Sequence, residues 1–272
     1  MARSKRSKRE RKDKTIGFVL AVIGILLIGG FSVGAWWLRQ IKEPLDADNC
    51  PRSGARAVYV IMIDRSDPIS GQQAQGIRQE VTKIKNDARF GTRFDIYTFE
   101  GDANNEMLPM MRLCAPGRAE DANEFIQNPE LMRRVWQERF SDVLDREIDS
   151  LLRVSSLPTS PIIESLRAAA ITSFGPIQPG KIPLRLLLVS DMVQNTAFLS
   201  QFKTDSNFAL LAKSPAWTIL QPNLKGADVD ILYLIRPQAK RGSLMIQSRG
   251  HQLFWEQLIS ASGGRLSSLV PM

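Results

Sequence analysis

The sequence predicts an α/β domain: a doubly wound, mostly parallel sheet with helices on both faces, preceded by one transmembrane helix. Three observations carry this expectation. Short apolar runs rich in β-branched residues alternate with amphipathic helical stretches, as expected of strands covered on both faces. Two of those runs, VYVIMID and LLLVSD, end in an aspartate. A charge-free stretch, Thr15 to Leu38, stands apart near the N-terminus.

The chain starts with a basic tail. Residues 1–14 hold eight Lys or Arg and two acids, a net +6, so the remainder carries 8 − 6 = +2 of the total +8. That leaves no basic folded face and argues against a nucleic-acid partner. The run 15–38 would span roughly 36 Å as a helix, enough for the ~30 Å hydrocarbon core. It has no polar stripe and ends in Trp36-Trp37, which suits an interfacial belt. A cleaved signal peptide is the rival reading, but its apolar region is shorter, about 7–15 residues. As an uncleaved signal anchor, the segment would leave the tail in the cytoplasm and place everything after Leu38 outside the inner membrane, in the periplasm or beyond. Residues 39–54, polar with two prolines, form a linker, and 55–272 form the α/β domain.

The elements follow in order. AVYVIMID (57–64) is a buried strand. GQQAQGIRQEVTKIKNDA (71–88) is a helix with Ile77, Val81 and Ile84 on one face. RFDIYTFE (93–100) is a second strand, and LPMMRLC (108–114) a shorter edge strand. Residues 129–154 are a long helix with Leu131, Val135, Phe140, Val143, Leu144 and Ile148 at helical spacing. Residues 160–174 are another, with Pro161 in its first turn. LRLLLVSD (184–191) and VDILYLI (229–235) are buried strands. Residues 250–264 form a helix closed by Gly263-Gly264, and 265–270 a last strand. The stretch 195–227 shows no clear pattern, and the basic stretch 236–250 reads as a solvated loop.

Cys50 and Cys114 are the only cysteines, and both fall on the exported side, where disulfides persist. No CxxC or neighbouring histidine points to a metal. A bridge would close a loop of about 65 residues, worth roughly 4 kcal/mol in the chain-entropy model. Two free buried thiols are the alternative.

In open parallel sheets, ligands bind beyond the carboxyl ends of the strands. If the strands ending in Asp64 and Asp191 are neighbours, both carboxylates leave the same rim. Ser66 follows Asp64, and Thr159-Ser160 precede a helix that must start at that rim. Such a shell of hard oxygens suits Mg²⁺ or Mn²⁺, and less well Ca²⁺. The same residue types also cap helices and form turns, in which case no metal is held.

Asp64-Arg65-Ser66, Ser160, and Ser190-Asp191 together resemble the von Willebrand factor A fold, a Rossmann-like architecture, with its metal-ion-dependent adhesion site. That site uses an Asp-x-Ser-x-Ser loop, a Thr before a helix and an Asp after a central strand. The resemblance covers roughly 55–272 and implies Asp64, Ser66, Ser160 and Asp191 as metal ligands. Pro68 stands where the loop's second serine is expected, with Ser70 or Asp67 nearby, and Met192 replaces the usual glycine. The chain is also similar to bacterial single-span membrane proteins carrying such a domain, through DRSDPIS, CAPG, SPIIESL and SDMVQN. The family's sheet order has its third strand antiparallel at the edge. That order would bring Cys50 and Cys114 to the bottom of the sheet, opposite the metal rim.

The only histidine, His251, sits in an amphipathic helix beside Phe254 and Trp255, and no nucleophile elbow or phosphate loop occurs. An enzyme is therefore not expected, a metal-dependent hydrolase or phosphatase being the remote option. The resemblance implies a binding module in the cell envelope, whose protein partner supplies a carboxylate to the metal. A metal-independent scaffold subunit is the alternative.

Overall fold

The computed structural model describes residues 20–34, 44–99, 107–121, 128–153, 159–204 and 206–272. The chain divides into two units, Met1–Pro44 and Leu45–Met272. In the first, residues 20–34 form a helix, α1. It is apolar on every side, and Leu26, Leu27 and Ile28 are 68%, 69% and 70% exposed. No helix among the described residues is long and apolar enough to cross a membrane. Both ends of the expected span 15–38, the basic tail and part of the linker lie outside the described residues.

The second unit contains one six-stranded sheet. β1 (Ala57–Ile63) leads through α2 (Gly71–Asp87) to β2 (Thr92–Thr98) and β3 (Met111–Cys114). α3 (Pro129–Trp136), α4 (Asp142–Leu152) and α5 (Ile162–Ala169) precede β4 (Leu184–Ser190). The short α6 (Phe208–Ala212) and α7 (Pro215–Leu220) precede β5 (Asp228–Tyr233). A small hairpin, β6 (Lys240–Arg241) and β7 (Leu244–Met245), comes before α8 (Arg249–Ala261) and β8 (Arg265–Pro271). The order across the sheet is β3-β2-β1-β4-β5-β8. All pairs are parallel except β2–β3. The order reverses between β1 and β4, which makes the gap above these two strands the topological switch point.

The strand pleat sorts β1 into two cores. Val58, Val60 and Met62 pack with Ile162 and Leu166 of α5 and Trp255 and Leu258 of α8. Tyr59, Ile61 and Ile63 pack with Ile77 and Val81 of α2 and Leu144 and Ile148 of α4. Helices therefore cover both faces, as the sequence predicts.

Three expectations need correction. The long helix 129–154 is interrupted by a π turn at Gln137–Ser141. The extra residue turns the apolar stripe, so Leu131, expected on the buried face, is 55% exposed while Phe140 and Leu144 are fully buried. Pro161 sits at the N-cap of α5 rather than inside its first turn. The basic stretch 236–250 is not a plain loop but carries the β6–β7 hairpin.

Cys50 and Cys114 form a disulfide. Cys114 ends β3 and faces Arg93 across the antiparallel pair. Two residues along, fully buried Asp95 receives Arg112 Nε at 2.8 Å and Arg93 Nη2 at 2.9 Å. Ser173 Oγ also donates to it at 2.6 Å. This edge of the sheet thus holds a buried carboxylate between two guanidinium groups.

Candidate metal centre

β1 and β4 are hydrogen-bonded neighbours, so the residues that follow them leave the sheet side by side. Asp64 and Asp191 are 4% and 5% exposed. Asp64 Oδ1 accepts the Ser66 backbone N–H at 2.8 Å. Its Oδ2 accepts the hydroxyls of Ser160 at 3.0 Å and Ser190 at 2.7 Å. Asp191 Oδ1 accepts the Val193 N–H at 2.8 Å. The structure therefore joins Asp64, Ser66 and Ser160 directly and sets Asp191 beside them. A cleft of about 160 Å³ opens above, lined by Ser66, Asp67, Thr159, Ser160, Asp191, Val193, Asn195 and Phe202. At ~30 Å³ per water, that holds roughly five waters or a hydrated ion.

Ser160 is free for this role because another residue caps its helix. The N-cap of α5 has no side-chain cap bond of its own. Instead Gln194 Oε1 accepts the Ile163 N–H at 3.0 Å, and Gln194 Nε2 donates to Glu164 at 2.7 Å. Ser160 pairs by backbone with Asn195, which fixes its hydroxyl toward Asp64. Ser70 is committed elsewhere: it caps α2 in a reciprocal box with Gln73. Of the two residues near Pro68, only Asp67 therefore lines the cleft. Sequence reasoning did not count Ser190 among the site donors. Its position at the last residue of β4, beside Asp191, was the available signal.

Met192 adopts the left-handed backbone region that favours glycine. Its φ is +60°, and its side chain is fully buried. Its N–H donates to Ser190 Oγ at 2.7 Å, the hydroxyl that holds Asp64. A left-handed non-glycine residue costs of order 1–3 kcal/mol, and such strain clusters at functional sites.

Electrostatics sets the rim apart. The Asp191 carboxyl is pushed up to about 7, first by burial and second by the charge of Asp64. Asp67 pushes the same way, and the Val193 N–H and Arg236 oppose. Arg236 is buried at this end of β5, but its Nη1 donates to Gln73 at 3.1 Å. Two buried carboxylates thus share one rim, with Arg236 as a partial counterweight to Asp191. No group of three or more His, Cys, Asp or Glu forms a metal site among the described residues. The available set is two carboxylates plus hydroxyls, which fits a hard, partly hydrated divalent cation.

Behind the cleft, His251 is fully buried, with its Nδ1 2.6 Å from the Tyr233 hydroxyl and its Nε2 3.0 Å from Gln201 Oε1. Burial lowers its pKa to about 4. Gln201 Oε1 also accepts the Gln194 N–H at 2.9 Å. The segment that walls the cleft is therefore pinned to the core by buried amides.

No family model matches the chain, and curated proteins give no match. Among solved structures, the chain is similar to an aerotolerance-related membrane protein from Bacteroides fragilis, at 13% identity and a TM-score of 0.37. That match covers 80% of this chain and 92% of the other. It is also similar to the conserved hypothetical protein BatB from Bacteroides thetaiotaomicron, at 12% identity and a TM-score of 0.38, over 79% and 90% of the two chains. Likenesses this distant leave the argument with the residues themselves.

Proposed function

We propose that the chain is a membrane-anchored, extracytoplasmic protein-binding module that engages a cell-envelope partner through a divalent cation, Mg²⁺ or Mn²⁺. Asp64, Ser66, Ser160 and Asp191 would hold the ion. When bound, it would neutralise the two buried acids and offer a Lewis-acidic contact to a partner carboxylate. One observation carries the reading: two buried carboxylates from adjacent strand tips meet at the switch point beneath an open cleft, and the charge of Asp64 raises the cost of charging Asp191. The helix α1, apolar on every side, supports the anchor, since such a helix needs apolar surroundings. An enzymatic role is not part of the proposal.

A metal-independent scaffold is the second reading. It is favoured by the hydrogen bonds that already satisfy Asp64 from Ser66, Ser160 and Ser190. Thermal unfolding of the full chain in nanodiscs, with Mg²⁺ or with chelator, separates the two. A ligand at 100 times its Kd stabilises by about 2.7 kcal/mol, a rise of several degrees. Asp191→Ala should abolish that rise. Identical melting of the wild type with and without metal hands the protein to the scaffold reading.

A further inference from the structure

The cleft has a wall that the cation reading does not use. Val193 lines the cleft and packs against Ala239 and Ile246, which flank the β6–β7 hairpin. Gln247 Nε2 donates to the Asp191 carbonyl at 3.0 Å and to the Leu234 carbonyl at 2.8 Å. Arg241 Nη1 donates to the Thr204 carbonyl at 2.9 Å. The segment 195–204 and the hairpin are therefore tied to each other and to the backbone of the site.

What this wall displays is specific in composition. Phe198 and Phe202 are 39% and 41% exposed, and Leu244 and Met245 are 62% and 43% exposed. Isolated exposed apolar residues are ordinary, but a group beside a polar cleft marks an interaction surface. Its charge is mainly basic. Residues 236–249 contain four cations and no acid, and Lys203 follows Phe202, with Asp205 the acid two positions further on. Arg236 is buried, which leaves Lys240, Arg241 and Arg249 on the hairpin side.

We propose that this wall selects a partner protein segment in which an Asp or Glu is followed by bulky apolar residues. The acid would address the cleft, and in that half the inference rests on the proposed cation. The apolar residues would cover Phe198, Phe202, Leu244 and Met245, while Lys203 and Lys240 draw in further acidic charge. Complementary charge of this kind steers association and rejects wrong partners. A basic segment would meet like charge on the wall, and a purely polar one would leave the aromatic surface wet.

The test uses the full chain in phosphatidylcholine nanodiscs with Mg²⁺. The probes are three short synthetic peptides, read by fluorescence anisotropy: one with Asp between Leu and Phe, one with Asn in its place, and one with Ser flanks. The first should bind at least about tenfold more tightly than the others, as expected when complementary charge and apolar contact act together. Lys240→Glu, and separately Lys203→Glu, should remove that preference while the Mg²⁺-dependent rise in melting temperature persists. Equal binding of the three peptides, or binding indifferent to both charge reversals, overturns the inference and leaves the cation reading standing. A wild type without a thermal shift removes the cation. Peptide preference that then survives in chelator upholds the wall alone, and its absence overturns both. Capture of phosphatidylglycerol vesicles that is lost on charge reversal, with no peptide preference, assigns the surface to a lipid headgroup and overturns the inference.

Discussion

Two places in this sheet bury aspartates, and they are built in opposite ways. At the β2–β3 edge, Asp95 is fully buried between Arg93 and Arg112, with Ser173 as a further donor. At the β1–β4 rim, Asp64 and Asp191 are nearly as buried, yet their partners are hydroxyls and backbone N–H groups. Burying a charge is costly unless it is paired. The edge solves this with two guanidinium groups from its own strands. The rim instead leaves one carboxyl raised to about 7 by burial and by its neighbour. The edge puts two arginines in contact with its acid, whereas at the rim Arg236 acts on Asp191 while donating to Gln73.

The difference can be broken experimentally, and the largest effect belongs to the edge. Asp95→Ala leaves two partly buried guanidinium groups without their acid and should cost up to about 5 kcal/mol. Urea denaturation measures it, and a cost no greater than that of Asp191→Ala would erase the distinction. The disulfide lies on the same edge, with Cys114 opposite Arg93. Cys50→Ser with Cys114→Ser reopens a loop of sequence separation 64 and should cost about 4 kcal/mol. Intact mass of the non-reduced protein should show the two-hydrogen loss of the bridge.

At the rim the sign reverses. The folded-state pKa of Asp191 is raised from 3.8 to about 7, so the folded chain holds a proton that the unfolded chain releases. Stability contributed by that proton is lost as pH rises from about 4 through 7. In chelator, the loss between pH 5 and pH 8 should be about 3 kcal/mol. Asp191→Asn should flatten this slope, and saturating Mg²⁺ should oppose it. A flat profile for the wild type in chelator would mean that neither burial nor Asp64 raises the Asp191 carboxyl. Smallest is Ser160→Ala, which removes one hydroxyl donor to Asp64 and should cost about 1–2 kcal/mol. It should also shrink the metal-induced shift without abolishing it.

The rim was readable because its parts are punctuated: apolar runs ending in Asp64 and Asp191 mark strand tips, and alternating helices force a parallel sheet. The edge was not. Asp95 in RFDIYTFE reads as an ordinary outward polar residue of an alternating strand. Its partner Arg112 comes from another strand, and only the antiparallel register brings the two together. Leu131 was misplaced because a π turn breaks the 3.6-residue period that predicted its face. The segment 195–227 carries no readable period because α6 and α7 have only 5 and 6 residues. Ser160 is a residue type that caps helices, yet the cap of α5 comes from Gln194, beyond β4, which no local pattern announces. Ser190 gives only its place at the end of β4, beside Asp191, as a sign, and the pairing of β4 with β1 turns it toward Asp64.

Gln194 and Gln201 have a consequence for kinetics. Their buried amides link the cleft wall to Glu164 on one side and to His251 on the other. A wall held this way does not wait for a loop to order before a partner docks. Association should then run at the ordinary rate for rigid patches, about 10⁵–10⁷ M⁻¹s⁻¹. Related partners of like charge would then differ mainly in how long they stay rather than in how fast they arrive.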